Sequence, residues 1–402
     1  MELFRSADLS PALFSLQRAF FYSSMLSFYA IMAHQILRFP FASAGAVMLL
    51  MVSSGSIFQV IAGKFSDRWG RRRIAFLGQA TQGLGLILMG YAFLHLYIFP
   101  SILGFLLTGI GGNSVQSSIN AVVADISASG RSMIGNFAKI RTAINSGFGL
   151  GPMLMGLILG LNWLNYGVVL ELMGIVSLVF LLFIPVIQGK ETARPMMNYA
   201  KYMNLNPRYL IELSLSAFLI SMVFGQLTSS VPVYEELVNH LTLGNVGILL
   251  GLNGFVIVLI QYPISKLVKN TLNWKWMTGG SVIYSFSVFM LSVATAFYNT
   301  LIIVILITLG EAIFWATAQA LITSLSNPTK YGGNLGIWAF GVNMGRATGA
   351  EYGLTVFTLL FVNHAIMWFI IAVPGLMSAM FFGVIINRIN KDIRKDSVPI
   401  LL

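Results

Sequence analysis

Hydrophobic residues in this chain fill whole runs rather than scattered positions. Stretches such as "SAGAVMLLMVSSGSIFQVIA", "IAFLGQATQGLGLILMGYAF" and "LNYGVVLELMGIVSLVFLLFIPVI" recur from one end to the other. Each is about 20 residues long, enough for a helix to cross a hydrocarbon layer about 30 Å thick. The pattern predicts an all-α membrane protein with twelve transmembrane helices, over residues 13–37, 42–63, 74–95, 98–125, 134–160, 164–187, 208–232, 244–267, 275–297, 299–325, 333–358 and 363–387. One long polar connection, "QGKETARPMMNYAKYMNLNPR", falls almost at the midpoint and reads as a linker. It divides the chain into a six-helix bundle over 1–187, a linker over 188–207 and a second six-helix bundle with a basic tail over 208–402.

Composition agrees. Only 9% of the 402 residues are charged and 57% are hydrophobic, where a soluble domain carries about 25% charged residues. A net charge of +11 raises nucleic acid as a partner, but the placement of the charge excludes it. The cations are Lys64, Arg68, Arg71, Arg72 and Arg73 after the second span, Arg131 and Lys139 after the fourth, and Lys190, Arg194 and Lys201 in the linker. They continue with Lys266, Lys269 and Lys275 after the eighth span, Lys330 after the tenth, and Arg388, Lys391, Arg394 and Lys395 in the tail. With an even number of spans these all lie on one face, and only Arg38 is basic among the opposite loops. By the positive-inside rule that face is cytoplasmic, with both termini on it, in a multi-pass protein of the cell membrane. No basic segment followed by a small-residue cleavage site opens the chain, so the first apolar run reads as a span. The absence of cysteine excludes disulfides and thiolate chemistry.

The halves resemble each other weakly. "GNFAKIRTAINSGFGLG", from Gly135, and "GNLGIWAFGVNMGRATG", from Gly333, share Gly, Asn, Asn, Gly and Gly at the same places. At that offset Asn113 falls opposite Glu311, and Asn145 opposite Asn343. A second string, "FQVIAGKFSDR", lies over "IQYPISKLVKN" and matches Gln59 with Gln261 and Lys64 with Lys266. The matched strings lie in the fifth and eleventh and in the second and eighth spans, as a duplicated six-helix unit requires.

Two motifs carry a family resemblance. In "GKFSDRWGRRR", residues Gly63, Asp67, Arg68, Gly70, Arg71 and Arg72 resemble the G-x-x-x-D-R-x-G-R-R loop between the second and third helices of the major facilitator superfamily. In "NSGFGLGPMLMG", residues Gly147, Gly151, Pro152 and Gly156 resemble the glycine-proline signature on the fifth helix of its 12-helix drug/proton antiporter branch. The resemblance covers essentially the whole chain. It implies the two-bundle fold and a secondary active transporter that moves a small organic solute by alternating access, as a proton-coupled, multidrug-like exporter. The alternative is an uptake symporter or uniporter for a metabolite such as a sugar or carboxylate. It further implies a latch on the cytoplasmic side, in which Asp67 meets the N-terminus of the eleventh helix and Arg71 pairs with Asp125 at the end of the fourth. A cofactor is not implied; the expected partners are the solute, protons and the bilayer, and the expected state is a monomer. Read on physical grounds alone, Asp67 is a surface counter-ion worth little. The small residues of the fifth helix then form only a groove for close helix approach.

Ionisable groups inside spans are costly and face a cavity or a partner. Arg141, Glu171, Glu311, Arg346 and Glu351 qualify, and with Asn113 they are the candidates for substrate or proton coupling. Glu311 and Arg346 both fall near the midplane and are expected to pair. They serve either as a structural salt bridge or as a proton carrier and substrate contact, since a carboxyl in a low-dielectric cavity takes up a proton more readily. The family pattern is not complete: the first span has no acid along its buried length, and Phe105 stands on the fourth span where an arginine is often found. HExxH, GxSxG and phosphate-loop motifs are missing from the sequence, which argues against an enzyme or an ATP-driven pump.

Overall fold

In the computed structural model, residues 9–127, 133–186, 207–267, 274–325 and 331–395 are described, and among them every regular element is helical. The helices are α1 (Leu9–Leu37), α2 (Phe41–Trp69), α3 (Arg71–Leu94), α4 (Ile98–Ser127), α5 (Met133–Gly160), α6 (Tyr166–Val179), α7 (Pro207–Phe224), α8 (Ser230–Leu237), α9 (Leu243–Leu267), α10 (Trp274–Met290), α11 (Phe297–Leu325), α12 (Tyr331–Leu360) and α13 (His364–Lys395). Short 3-10 segments extend α6 and α10 and join α7 to α8, so that Arg208–Leu237 forms one broken span. Ten of these rods are long and apolar enough to cross a membrane. The two others, α1 and α12, are 29 and 30 residues long but are interrupted by polar residues. On α1 those residues turn inward: Ser15, Gln17, Arg18, Ser23, Ser24 and Ser27 are all buried. Protein, not lipid, receives the polar face of this helix.

Two expected boundaries change. The charged stretch after the second span was expected to be a loop, yet α2 continues through it to Trp69 and α3 starts at Arg71. Nothing in "KFSDRW" breaks a helix, so the whole turn is made by Gly70, whose φ of 95° and ψ of 143° suit a residue without a β-carbon. The seventh span was expected to be continuous to residue 232. Instead α7 ends at Phe224, a 3-10 turn covers Gly225–Thr228, and α8 resumes at Ser230. Gln226 explains part of the break, because its Nε2 donates to Met222 O and, across to α12, to Gly349 O, both at 2.8 Å. Pro232 then sits in the first turn of α8, where its missing N–H has no helical partner to lose. The expected linker up to residue 206, and the cations Arg131, Lys190, Arg194, Lys201, Lys269 and Lys330, lie outside the described residues.

The chain divides into two compact units. The first comprises Met1–Met196 with Leu227–Phe255, the second Met197–Gln226 with Val256–Leu402. In the first, α3 runs along α4 and α6, α1 along α5, and α2 along α4; in the second, α7 lies on α12, and α10 on α11 and α13. Bare glycine backbones set these distances. A β-carbon on Gly104 would stand 2.6 Å from Gly85 O between α4 and α3, and one on Gly310 would stand 2.9 Å from Gly280 O between α11 and α10. In lipid, where apolar burial drives no association between helices, such close approach supplies the attraction. The same device joins corresponding helices of the two sequence halves.

Candidate functional site

At one end of the first unit, Arg71 opens α3 directly after the Gly70 turn. Its Nε donates to Asp125 Oδ2 on α4 at 3.2 Å, its Nη1 donates to Ser66 Oγ at 3.3 Å, and it also bonds Asp67 on α2. One guanidinium thus ties together the ends of three helices. The Asp125 and Arg71 side chains are 9% and 14% exposed, whereas that of Asp67 is 57% exposed. Arg68, Arg72 and Arg73 are exposed. Gly63 lets α2 approach α4, since a β-carbon there would stand 3.1 Å from Ser117 Oγ.

The glycine-proline stretch makes two grooves on α5 rather than one. Gly147 and Gly151 receive α1: a β-carbon on Gly147 would lie 2.7 Å from Leu16 O and 2.8 Å from Ala19 Cβ. Ser23 Oγ closes this contact by donating to Gly147 O at 3.2 Å. The opposite side receives α9. A β-carbon on Gly156 would lie 2.7 Å from Gly247 Cα, and one on Gly251 2.7 Å from Gly149 O. Pro152 stands inside α5 without ending it.

In the second unit Arg346 Nη2 lies 4.0 Å from Glu311 Oε1. Counting the helical rise, Glu311 is about 21 Å from the start of α11 and Arg346 about 22 Å from the start of α12, so the pair is at mid-helix on both. The guanidinium also lies over Trp315, 5.7 Å from the ring centroid, and its Nε is buried without a hydrogen bond. Tyr284, whose buried hydroxyl likewise lacks a partner among the described residues, feels both charges. At 4.0 Å the pair is an electrostatic contact, longer than a hydrogen bond.

The other candidates stand apart from this pair. Glu171 lies early in α6 against Gly90 of α3. Glu351 accepts from Thr355 Oγ1 one turn along α12 at 3.0 Å. Arg141 is exposed on α5. His34 Nδ1 is 3.0 Å from Phe39 O, and its ring stacks on Phe41. Phe105 is fully buried and stacks on Tyr29 with centroids 4.0 Å apart.

Asn113 leads to a residue that the sequence reading passes over. Its Oδ1 accepts from Arg18 Nη2 at 2.9 Å, while Arg18 Nε donates to Gly112 O at 2.9 Å and Nη1 reaches Gln116 Oε1 at 3.5 Å. Tyr22 flanks the guanidinium at 5.5 Å. Arg18 is buried, and among the described residues its bonded acceptors are all neutral. Around it α3 supplies Gln79 and Gln82, both fully buried. Gln79 Nε2 donates to Gln17 Oε1 at 3.1 Å and Ser177 Oγ at 2.9 Å. Neither amide atom of Gln82 has a partner among the described residues. The signal for Arg18 was its place inside the first expected span. Glu235 was missed for a different reason: the seventh span was expected to stop at 232, but α8 carries Glu235 fully buried, with Oε2 accepting from Asn239 Nδ2 at 2.9 Å.

Comparison with known proteins adds the following. The family model described as Major Facilitator Superfamily matches residues 13–350. An uncharacterized MFS-type transporter, YqjV of Bacillus subtilis (strain 168), is 24% identical over 321 residues, covering 77% of this chain and 76% of that protein. Another, MJ1560 of Methanocaldococcus jannaschii, is 24% identical over 311 residues, covering 73% and 77%. Among solved structures, a bacterial homolog of the human lysosomal transporter Spinster, inward-facing and unoccupied, superposes with a TM-score of 0.75 at 13% identity, over 98% of this chain and 99% of that one. A POT family transporter in complex with 5-aminolevulinic acid gives 0.78 at 11% identity, over 94% and 96%.

Proposed function

We propose, starting from the fact that the chain belongs to the major facilitator superfamily and is therefore a multi-pass membrane transporter and not an enzyme, that it moves a small organic solute by alternating access in exchange for protons, in the export direction. The reading takes the two six-helix halves, 1–187 and 208–402, as the bodies that rock, with the solute between them. It places the protein in the cell membrane as a monomer, both termini cytoplasmic. The observation that carries it is the Glu311–Arg346 pair, a carboxylate and a guanidinium at mid-helix held 4.0 Å apart. A carboxylate facing a guanidinium at mid-helix can exchange that partner for a proton and leave the guanidinium to a solute, which is what coupling requires.

The cytoplasmic cluster supports the alternating-access part. Arg71 holds Asp125 and Asp67, and in this reading the exposed Asp67 carboxylate exchanges Arg71 for the start of α12 when the cytoplasmic side closes, where unsatisfied N–H groups and the positive end of the helix dipole favour an anion. The drug/proton antiporter branch is favoured by the close approach of Gly149 and Gly156 to α9, which leaves little room for leak along that seam. The uptake reading, for a sugar or a carboxylate, is favoured by Arg18, a buried cation suited to an anionic solute.

Proteoliposomes with an imposed pH gradient, screened against cationic, anionic and neutral solutes, test the proposal. Gradient-driven accumulation of at least one solute inside right-side-out vesicles that are acidic outside would favour uptake; expulsion under the same gradient would favour export. No movement of any solute, with no accompanying proton flux, contradicts the transport mechanism proposed.

A further inference from the structure

The second unit balances its mid-helix arginine with an acid, whereas among the described residues the buried arginine of the first bonds only neutral acceptors. Arg346 has Glu311. At the position that the internal repeat sets opposite Glu311 stands Asn113, and it is Asn113 that accepts from Arg18. Arg18 therefore brings a full positive charge to the middle of α4, about 21 Å from that helix's start, with only neutral acceptors bonded to it. A charge left in such a place without its opposite is strongly unfavourable, unless something else brings the opposite charge.

Two further features say what that is. A guanidinium has five N–H donors; Gly112 O, Asn113 Oδ1 and Gln116 Oε1 take three, which leaves one on each terminal nitrogen. Beside it, Gln82 is fully buried with both amide atoms unpartnered. Its amide lies next to the Arg18 stem at Gly112: a β-carbon on Gly112 would stand 3.2 Å from Gln82 Nε2 and 3.6 Å from Arg18 Cγ. The bare backbone of Gly112 thus lets the Gln82 amide and the Arg18 stem pack together against α4, and among the described residues neither the Gln82 amide nor the two remaining guanidinium N–H groups has a partner. Two parallel guanidinium N–H bonds fit the two oxygens of a carboxylate.

We infer that Arg18, with Gln82 and Asn113, binds a carboxylate group of the transported solute. The inference rests on the transport reading above and names the class of solute. The incoming anion supplies the charge that Asn113 cannot, and takes the unused donors of Arg18 and the Nε2 of Gln82. In its absence Arg18 falls back on the neutral carbonyls of α4.

The purified full-length protein, unfolded thermally in detergent and followed by its tryptophan fluorescence, tests this with benzoate, succinate, inorganic phosphate, tetraphenylphosphonium and glucose as probes. Benzoate or succinate should raise the midpoint of the wild type with saturation, and Arg18→Gln should weaken the apparent affinity at least tenfold. Gln82→Leu leaves Arg18 and the core volume in place and should weaken it severalfold; if Arg18→Gln does not fold, this variant decides alone. A wild type that no carboxylate stabilises, a response to phosphate only, or carboxylate titrations unchanged in the variants would each overturn the inference and leave Arg18 a fastener between α1 and α4. Flux keeps the two proposals apart. A stabilising carboxylate that never crosses proteoliposomes preserves the site and removes the transport reading, whereas flux of a cationic or neutral solute that ignores Arg18→Gln does the reverse.

Discussion

Arg71 and Gly70 are neighbours with different physical duties, and each yields a prediction. Arg71 donates from Nε to the nearly buried Asp125, and a hydrogen bond to a charged group contributes about 1.5–3 kcal/mol. Asp125→Asn keeps the shape and removes the charge, so the thermal midpoint in detergent should fall and α4 should loosen from the α2–α3 turn; an unchanged midpoint would mean that solvent already screens the pair. The contact of Arg71 with Asp67 is the weaker of the two, since Asp67 is mostly exposed and exposed pairs contribute about 0–1 kcal/mol. Asp67→Asn should leave the midpoint almost where it was. Gly70 carries the turn at φ 95°, a region that costs other residues about 1–3 kcal/mol. Gly70→Ala should lower the midpoint by an amount comparable to Asp125→Asn.

Helices in this molecule meet through glycine, so α5 is best tested by bulk. Gly147 faces α1 and Gly156 faces α9. Gly156→Val forces α9 outward, and such overpacking costs about 1–3 kcal/mol; the same change at Gly279, where an added β-carbon meets nothing, should be almost neutral. Comparing the two midpoints checks that close approach, not glycine content, matters. At this scale the sequence was a good guide to spans, because runs of apolar residues report length directly. Its failures were local. "KFSDRW" was read as a loop for its charge, but charged residues extend a helix past the membrane readily and only Gly70 interrupts it. The break at Gly225 was hidden because it depends on a bond from Gln226 to a carbonyl on α12. Glu311 and Arg346 were legible as a pair since each lies mid-run on its own span. Arg18 was not, for a cation near the start of an apolar run looks like an interfacial anchor until α4 is seen to bind it.

Each of the two units carries a charged cluster at mid-helix, Arg18 on Asn113 of α4 in one and Arg346 beside Glu311 in the other, and the first also carries the Arg71–Asp125 tie at its helix ends. If the cations that the sequence gathers on one face mark the cytoplasmic side, a reporter fused to either terminus should register the cytoplasm. If Asp67 closes the cytoplasmic side, Asp67→Asn should shift the population toward inward-facing states while leaving stability unchanged. Reaction of single cysteines, introduced on the cytoplasmic halves of α5 and α11, with a membrane-impermeant maleimide should then quicken. Transport as proposed above turns on Glu311 changing its proton as Arg346 changes its partner. The direct measurement is solute flux in proteoliposomes with and without an imposed pH gradient, for the wild type and for Glu311→Gln. Flux should follow the pH gradient in the wild type, whereas Glu311→Gln should still move solute down its own gradient but no longer respond to pH. A Glu311→Gln variant whose flux keeps the wild-type response to the gradient would contradict it.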